Sequence, residues 1–358
     1  MATSVEIPAG PDDITATWLT EVLGAPVTAV TVETVGTGQT GATYRVRPQY
    51  ADPSAELPST LVAKLVSQDQ DVRARVTLGY RAEYMFYTHA AATLAVPLPP
   101  CHFCEIDRDG LDFAMLLGDL APSVQGDQIR GCSIREAELA VVALAGLHGP
   151  RWGDPEWLTF PGVTMPRPDA DFAAGLQMAA VAAAETTLGV LGDRMTAADR
   201  DTLTATAEHT RDWLMCEPER FALLHGDYRL DNLLYDPQRT RVTVVDWQTL
   251  SVGLPARDLA YFLGTGLPVE QRSGAERELV EAYHRALIGY GVTGYDAQSC
   301  WRDYRLGLPQ ITLISTFGVA FAASSERGDD MMLAMLSRGC AAIRELGTLE
   351  LIDEMTAT

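Results

Sequence analysis

The first third of the chain consists of short apolar runs separated by polar or glycine-rich breaks, a pattern that predicts β-strands. Two helices interrupt this series. One is expected at 13–23, and the second begins at Val76, after which Tyr80, Tyr84 and Tyr87 recur at helical spacing. The strands are expected at 27–35, 43–47, 61–65, 101–106 and 112–117.

Beyond residue 120 the apolar positions mostly follow the longer period of amphipathic helices. Ser133 and Glu136 form a capping-box pattern before an apolar helix that ends near His148, which we expect to be a core or helix-end histidine. Alanine-rich segments at 171–191 and 197–214 predict two further helices. This part of the chain is therefore predicted to be mainly helical.

The segment 224–248 interrupts these helices and carries the candidate chemistry. Asp227 and Asn232 lie five residues apart in one loop, and Asp246 closes the β-branched run 242–245, which predicts a buried strand. Phosphoryl transfer needs a carboxylate that accepts the proton of an attacking hydroxyl, together with oxygen ligands for magnesium. The alternative is that these residues only form turns, as Asp and Asn often do.

The chain contains one lysine, Lys64, among 27 basic residues, at the end of an apolar strand. Arginine replaces lysine easily on a solvated surface, but not where a compact charge must reach phosphate oxygens. Glu83 lies beside the apolar stripe of the next helix, where an acid is costly unless it is paired. We predict an ion pair between Lys64 and Glu83; the alternative is a chance surface lysine and an exposed acid.

A glycine-rich segment precedes this strand, with Gly36, Gly38 and Gly41 in a GxGxxG spacing. In a dinucleotide-binding unit such a segment would open a helix. Here the following residues read as a second strand that ends near Pro48. We therefore predict a β-hairpin folded over phosphates, with a plain glycine-rich turn as the alternative.

His225-Gly226-Asp227, Asn232 and Asp246, in this order, resemble the HGDxxxxN catalytic loop and metal-binding aspartate of the aminoglycoside phosphotransferase and choline kinase-like families. These families are relatives of protein kinases. The resemblance implies that Asp227 is the catalytic base and that Asn232 and Asp246 bind Mg²⁺. It also implies that Lys64, Glu83 and the glycine loop hold ATP. Gly226 replaces the arginine of protein kinases, and no APE-like segment follows, which favours a small-molecule kinase.

The resemblance further implies a protein-kinase-like, two-lobed α/β (α+β) fold. The N-lobe, residues 1–118, would be a nucleotide-binding antiparallel sheet of five strands. The C-lobe, 119–358, would be mainly helical. Met115-Leu116-Leu117-Gly118-Asp119-Leu120 resembles the hinge of the ecdysteroid-kinase-like branch. We expect a linker there, with Met115 and Leu117 binding adenine through their backbone; Gly118 replaces a glutamate usual in that branch.

Composition narrows the class of partner. The 358 residues are enough for a large core, and a formal net charge of −21 argues against nucleic acid or an anionic membrane surface as partner. Residues 1–13 include no basic residue and no long apolar run, so neither a signal peptide nor a membrane span is expected. These features predict a cytoplasmic enzyme.

Six cysteines are scattered along the chain, except for the pair in Cys101-His102-Phe103-Cys104. One CxxC with an adjacent histidine could ligate zinc. No second cysteine pair completes such a site, which favours two thiols on a strand.

We predict an enzyme that transfers the γ-phosphoryl group of ATP to a hydroxyl of an apolar or weakly polar metabolite or natural product. The alternatives are an aminoglycoside-resistance phosphotransferase and a nucleotide-binding pseudokinase; GTP as donor stays open. An apolar stripe from Trp301 to Phe321 predicts a helix whose end, near Trp301 or Tyr304, stacks on the acceptor. Asp303 is the only acid between Trp301 and Ser325, which disfavours polycationic acceptors. The alternative is that the stripe is core.

Overall fold

The computed structural model describes residues 5–35, 41–54, 56–216, 219–321 and 325–357. Contacts between Cα atoms divide these residues into two compact units. The first unit holds the described residues of 1–92, 98–122 and 246–248, and the second holds those of 93–97, 123–245 and 249–358. The first unit thus continues past residue 118 to Pro122 and includes a short segment from much later in the chain.

The first unit is built on one antiparallel sheet of five strands, as predicted. Its order is β1-β2-β3-β5-β4, so β1 and β4 are the edges. The strands are β1 (Val27–Thr34), β2 (Gly41–Tyr50), β3 (Leu61–Val66), β4 (Cys101–Ile106) and β5 (Phe113–Gly118).

The first two strands form the predicted hairpin, with Thr34 opposite Tyr44. A strand begins at Gly41, directly after the glycine segment, which excludes the helix that a dinucleotide-binding unit would place there. Gly41 itself packs closely, since an added Cβ would lie 3.0 Å from the carbonyl oxygen of Leu65. Gly36 and Gly38 lie outside the described residues.

Three α-helices accompany this sheet among the described residues. The first starts three residues later than predicted because Thr15 caps it, accepting a hydrogen bond from the Trp18 amide at 3.1 Å. The third presents Tyr80, which stacks on Phe113 of β5. The helices are α1 (Ala16–Leu23), α2 (Gln70–Arg75) and α3 (Thr77–Met85), and a single π-turn at Phe86–Ala90 continues α3.

The prediction of a linker at 115–120 is wrong for residues 115–118, which belong to a strand. Met115 is a strand residue, opposite Lys64 on one side and Cys104 on the other, and β5 continues to Gly118. The hydrophobic run 113–117 is buried, and a strand paired within the sheet is therefore favoured over a loop conformation for these residues.

The second unit is mainly helical, as predicted. Its helices are α4 (Ile134–His148), α5 (Ala170–Leu191), α6 (Ala197–Glu208), α7 (Thr210–Met215), α8 (Ala256–Gly266), α9 (Val269–Gly289), α10 (Ala297–Gly307), α11 (Pro309–Phe321), α12 (Glu326–Glu345) and α13 (Thr348–Thr356). The capping box of α4 is confirmed: the Ser133 amide donates to Glu136 at 2.9 Å, and the Glu136 amide donates to the Ser133 hydroxyl. His148 is fully buried at the end of α4.

Two predicted helices are each broken in two. The stripe 301–321 is not one helix, because Pro309 has no amide hydrogen for the preceding turn and instead begins α11. The segment 197–214 breaks at His209, whose ring Nδ1 lies 2.7 Å from the Ala205 carbonyl oxygen, which also accepts the His209 amide. In both places a local feature overrides a continuous apolar pattern.

Short strands in the second unit flank the segment that carries the candidate chemistry. One pair joins β7 to β10, and a three-stranded sheet has the order β6-β8-β9. The strands are β6 (Val124–Gln125), β7 (Ala222–Leu224), β8 (Leu233–Tyr235), β9 (Val242–Val244) and β10 (Ser251–Gly253). The loop 225–232 therefore runs between two buried strands, β7 and β8.

One stretch among the described residues, Ala170–Arg194, is long and apolar enough to cross a membrane, judged by length and composition alone. A single such helix is weak evidence, and α5 buries Ala173, Ala180 and Ala184 in a core shared with α11 and α12. The absence of a membrane partner stays a prediction.

Candidate functional site

The loop after β7 requires glycine at position 226. Gly226 has φ +82°, in the left-handed region that L side chains rarely adopt. An added Cβ would also lie only 2.1 Å from the carbonyl oxygen of Thr249. A residue with a side chain would therefore strain this turn.

Asp258, in the first turn of α8, holds this loop. Its carboxylate accepts hydrogen bonds from the His225 amide at 2.6 Å and the Gly226 amide at 3.0 Å. His148 lies 3.4 Å away on the same carboxylate and 2.8 Å from the Tyr283 hydroxyl. Asp258 therefore fixes the backbone of the loop before Asp227, and His148 is the core residue that was predicted.

Asp227 follows directly and is held from three sides. Tyr261 of α8 donates its hydroxyl to Oδ1 at 2.9 Å. Arg229 Nε and Asn232 Nδ2 donate to Oδ2 at 2.9 Å and 3.0 Å. The carboxylate keeps a fixed orientation, with its side chain about one-fifth exposed.

Asn232 lies close to Asp227, as its spacing predicted. Its amide nitrogen donates both to the backbone carbonyl and to the carboxylate of Asp227. This orientation directs the Asn232 amide oxygen away from Asp227. The backbone carbonyl of Asn232 accepts from the Val245 amide at 3.0 Å, which ties the loop to the residue after β9.

Arg229 was missed by the sequence analysis. Its guanidinium also reaches Asp231 at 3.0 Å, so it bridges two carboxylates of one loop. Burial acts to lower the pKa of Arg229, but the charges of Asp227 and Asp231 outweigh it, and the pKa rises above its ordinary value. The signal in the sequence was an arginine with an acid two residues to each side. Tyr261 was missed as well, although it follows Asp258 by three residues on one helix.

The first unit contains a second charged cluster, around Lys64. The ammonium lies 2.7 Å from Glu83 of α3, so the predicted ion pair is present, and 2.9 Å from Asp246. Burial acts to lower the pKa of Lys64, but the two carboxylates outweigh it and the pKa rises. The lysine therefore stays charged between two acids.

The segment 246–248 is held against α3. Glu83 accepts hydrogen bonds from the Trp247 amide at 3.3 Å and the Gln248 side chain at 3.4 Å. The Trp247 ring stacks on Phe86 with centroids 3.6 Å apart. Asp246 has φ +69°, a conformation that is uncommon outside glycine and is found at functional sites.

Only some of the remaining predicted site residues lie within the described part of the chain. Met115 and Leu117 lie in β5, both buried, and Gly41 begins β2. Their contact with a nucleotide stays a prediction, as do the roles of Gly36 and Gly38. The described residues contain no group of three or more His, Cys, Asp or Glu side chains that could hold a metal. This gives no support to zinc at Cys101 and Cys104.

The comparisons with known proteins identify the family and the fold. The model of the phosphotransferase enzyme family matches residues 31–297. A structure from Ralstonia eutropha, provisionally assigned as an aminoglycoside phosphotransferase, covers 92% of this chain and 97% of its own, at 17% identity and TM-score 0.53. Choline kinase from Cryptosporidium parvum covers 91% of each chain, at 10% identity and TM-score 0.53. These two likenesses show a kinase-like fold.

Two curated relatives match this chain over a short stretch. Human acyl-CoA dehydrogenase family member 11 is 49% identical over 41 residues, which are 11% of this chain and 5% of that protein. Mouse acyl-CoA dehydrogenase family member 10 is 40% identical over 57 residues, 14% of this chain and 5% of that protein. The chain thus matches about one-twentieth of the length of these relatives.

Proposed function

We propose that this chain, which belongs to the phosphotransferase enzyme family, transfers the γ-phosphoryl group of ATP to a hydroxyl group of a small molecule. The observation that carries the proposal is the loop around Asp227. A carboxylate held by Tyr261, Arg229 and Asn232 is oriented before any substrate arrives. Such preorganisation is how phosphoryl transfer is catalysed, because the protein supplies mainly position and charge.

In this mechanism Asp227 accepts the proton of the acceptor hydroxyl. The hydroxyl oxygen bonds to the γ-phosphorus, the bond from that phosphorus to the bridging oxygen breaks, and ADP leaves. Arg229 compensates the negative charge of Asp227, because its Nε lies 2.9 Å from Oδ2. Tyr261 keeps Oδ1 in place while the proton moves.

Magnesium is the metal that this reaction class requires. The donor set fits it, because the Asp246 carboxylate and the Asn232 amide oxygen are hard oxygen ligands. The amide nitrogen of Asn232 donates to Asp227, so the amide oxygen of Asn232 can bind a cation. When bound, the ion would neutralise charge on the nucleotide phosphates. We propose Asn232 and Asp246 as its protein ligands.

The nucleotide is assigned to residues of the first unit. Lys64, fixed by Glu83, would hold phosphate oxygens, and Gly36, Gly38 and Gly41 would approach them through the backbone. The backbone of Met115 and Leu117 would contact adenine. ATP, rather than GTP, is our proposal for the donor, and the cytoplasm is the proposed location.

The prediction that Trp301 or Tyr304 stacks on the acceptor is wrong. Tyr304 is fully buried and donates its hydroxyl to Glu276 at 2.8 Å, so it cannot stack on an acceptor. The ring of Trp301 carries the Arg277 guanidinium 3.5 Å from its centroid. This end of the stripe belongs to α10 and is structural.

The other end of the stripe is better placed. Gln310 of α11 donates to the Gly226 carbonyl oxygen at 3.5 Å, so α11 begins beside the catalytic loop. Ile314, Phe317 and Phe321 follow at steps of three and four residues on the same face, and none of them is fully buried. From α12, Met331 places its sulfur 3.0 Å from Arg229. An apolar surface therefore leads away from Asp227.

Charge near this surface also disfavours a polycation. Asp303 is fully buried and forms a bidentate pair with Arg220, at 2.7 Å and 2.9 Å. Asp227 and Asp231 are both paired with Arg229. We therefore propose an acceptor with an apolar or weakly polar body and one reactive hydroxyl.

We expect measurable turnover with a hydroxylated lipid, steroid, polyketide or hydroxyacyl compound, and little with kanamycin. Ile314→Asp adds a charge to the apolar face one turn from Gln310, so it should raise KM for the accepted compound about tenfold or more, with ATP binding unchanged. Initial rates of ADP formation measure both, and Ile288→Asp, on the exposed face of α9, is the control. A kcat/KM for kanamycin near 10⁴ M⁻¹s⁻¹ would overturn this acceptor class.

Lys64→Arg is expected to lower kcat/KM for ATP by about 10- to 100-fold. The arginine keeps the charge, but its planar fork does not fit between two carboxylates 2.7 and 2.9 Å from the ammonium. Arg47→Lys, in an exposed pair with Glu33, is the reverse exchange and should change nothing. Normal ATP kinetics in Lys64→Arg would show that the lone lysine has no special role.

The overall proposal is tested by an unbiased screen for ATP-dependent phosphorylation of metabolites, read by mass spectrometry. The same screen with Asp227→Asn identifies products that depend on the proposed base. A phosphorylated product found only with the unmodified chain supports a kinase. Nucleotide binding without any transfer or hydrolysis that depends on Asp227 would instead indicate a pseudokinase.

A further inference from the structure

Strand β4, at the edge of the five-stranded sheet, has an irregular register at its start. Cys101 lies opposite Leu117, Phe103 opposite Leu116 and Cys104 opposite Met115, so the bulge absorbs one residue. In a regular strand two residues three positions apart point to opposite faces. Here the partners of Cys101 and Cys104 on β5, Leu117 and Met115, are only two residues apart. The bulge therefore places the two cysteines on the same face of the sheet, as if they were separated by two positions.

This register sets the distance between the two cysteines. Two pairing steps along a strand correspond to about 6.7 Å between Cα atoms. That is close to the upper limit of about 7 Å at which a disulfide can close. Each thiol shifts the pKa of the other, as neighbouring side chains do. The Cys101 Sγ itself donates to the Phe103 carbonyl oxygen at 3.5 Å. A small movement of the edge strand would bring the sulfurs into bonding distance.

The two thiols differ in access and acidity. Cys101 is exposed, whereas Cys104 is partly buried. The hydrogen bond from Cys104 lowers the pKa of Cys101. The pKa of Cys104 is raised, first by that same hydrogen bond and then by burial. An exposed thiol with a resolving thiol beside it is the arrangement of redox-sensitive cysteines.

The pair lies on the face of the sheet that α3 covers. Met115 is opposite both Lys64 and Cys104, and directly opposed residues of antiparallel strands share a face. Cys104 packs with Tyr80, Tyr84 and other residues of that face. The dithiol is therefore one strand away from the lysine, on the side where Lys64 meets Glu83.

Tyr87, in the turn after α3, packs in the same apolar cluster as Cys104. Its hydroxyl is buried and has no hydrogen-bond partner among the described residues. Burial raises the pKa of Tyr87 well above its ordinary value, and the charges of Glu83, Cys101 and Cys104 add to the effect. An unpaired buried hydroxyl is a ready donor for an oxygen added to either sulfur.

We propose that Cys101 and Cys104 form a modification site, a dithiol that peroxide oxidises to an intrastrand disulfide, and that closing this disulfide disturbs the Lys64–Glu83 pair. The thiolate of Cys101 attacks one oxygen of hydrogen peroxide, the O–O bond breaks, and water leaves after protonation. The sulfenic acid so formed is attacked by Cys104, and the S–O bond breaks with loss of a second water. In sum, two thiols and one hydrogen peroxide give one disulfide and two waters.

The effect on Lys64 follows from the packing. Disulfide closure draws the start of β4 towards Cys104, against the residues that surround Tyr87 and α3. Glu83 lies in the last turns of α3, and its carboxylate is 2.7 Å from Lys64, so a shift of this helix changes the pair. The consequence for nucleotide affinity rests on the proposed function, whereas formation of the disulfide does not.

The modification itself is tested by treating the full chain with hydrogen peroxide and mapping disulfides by peptide mass spectrometry. We expect a Cys101–Cys104 disulfide that dithiothreitol reverses. Cys101→Ser and Cys104→Ser should both abolish it, and Cys104→Ser should leave Cys101 as a trappable sulfenic acid. Cys216→Ser, which removes another partly buried thiol, is the matched control. Failure to form this disulfide, with both thiols intact or Cys101 overoxidised, would overturn the proposal.

The coupling to Lys64 is tested by the affinity for a non-hydrolysable ATP analogue before and after oxidation. We expect at least about a fivefold loss that the reductant restores and that both serine variants prevent. An unchanged affinity in the oxidised chain would overturn the coupling. If the analogue binds neither form, the proposed function fails, while the mass spectrum still decides the dithiol.

Discussion

Replacing Asp227 by asparagine is expected to lower kcat by about 10²- to 10⁴-fold, with the fold intact. The substitution keeps the size and shape of the side chain but removes the proton acceptor. Tyr261 and Asn232 can still contact the new side chain. One of their two donor groups will, however, face the amide nitrogen of that side chain in place of a carboxylate oxygen. Initial rates at saturating ATP and acceptor measure the effect, and thermal unfolding checks the fold.

Two further variants make this test specific. Asp201→Asn removes an exposed carboxylate of α6 and should leave kcat unchanged. Tyr261→Phe removes one donor to Asp227 without removing the carboxylate, so its effect should be smaller than that of Asp227→Asn. An unchanged kcat in Asp227→Asn, on an acceptor shown to be phosphorylated, would remove Asp227 from the mechanism.

Asp258→Ala is expected to lower the free energy of unfolding by about 2–6 kcal/mol. The carboxylate is fully buried and accepts two backbone amides, from His225 and Gly226. Each amide left without a partner in the interior costs about 1–3 kcal/mol. Equilibrium unfolding in urea measures the loss, which should be accompanied by reduced activity because the same amides shape the loop before Asp227.

The matched control is Glu270→Ala, which removes an exposed acid from the first turn of α9. A surface substitution of this kind should stay within about 0.5 kcal/mol. Equal stability of Asp258→Ala and Glu270→Ala would mean that Asp258 is only a helix-start acid. The structure argues against that outcome, since the Asp258 oxygens point to the loop and not to the amides of its own helix.

The ion pair of Lys64 was predictable because each partner carries its own signal. A lone lysine lies in an apolar strand, and Glu83 lies beside a helical stripe where an unpaired acid is costly. The five strands were predictable for a similar reason, because each is a short apolar run between breaks. Apolar and charged patterns that lie within one strand or helix, or that two such elements share, can be recognised from the sequence alone.

Arg229 and Tyr261 could not be predicted in the same way. Arg229 reaches Asp227 only because the loop turns at Gly226, and Tyr261 only because Asp258 fixes α8 against that loop. Their roles depend on tertiary contacts that have no period in the sequence. The break at Pro309 is different: the proline was visible, and it outweighs the apolar stripe that crosses it.

The return of residues 246–248 to the first unit has a consequence for synthesis. Lys64 and Asp246 are 182 residues apart, so the ribosome releases the sheet and α3 long before their last contacts exist. At bacterial or eukaryotic elongation rates the delay is on the order of ten seconds. During that time Glu83 lacks the Trp247 amide, and Phe86 lacks the ring that stacks on it. This part of α3 and the turn after it therefore stays uncovered until the last three residues of its unit arrive.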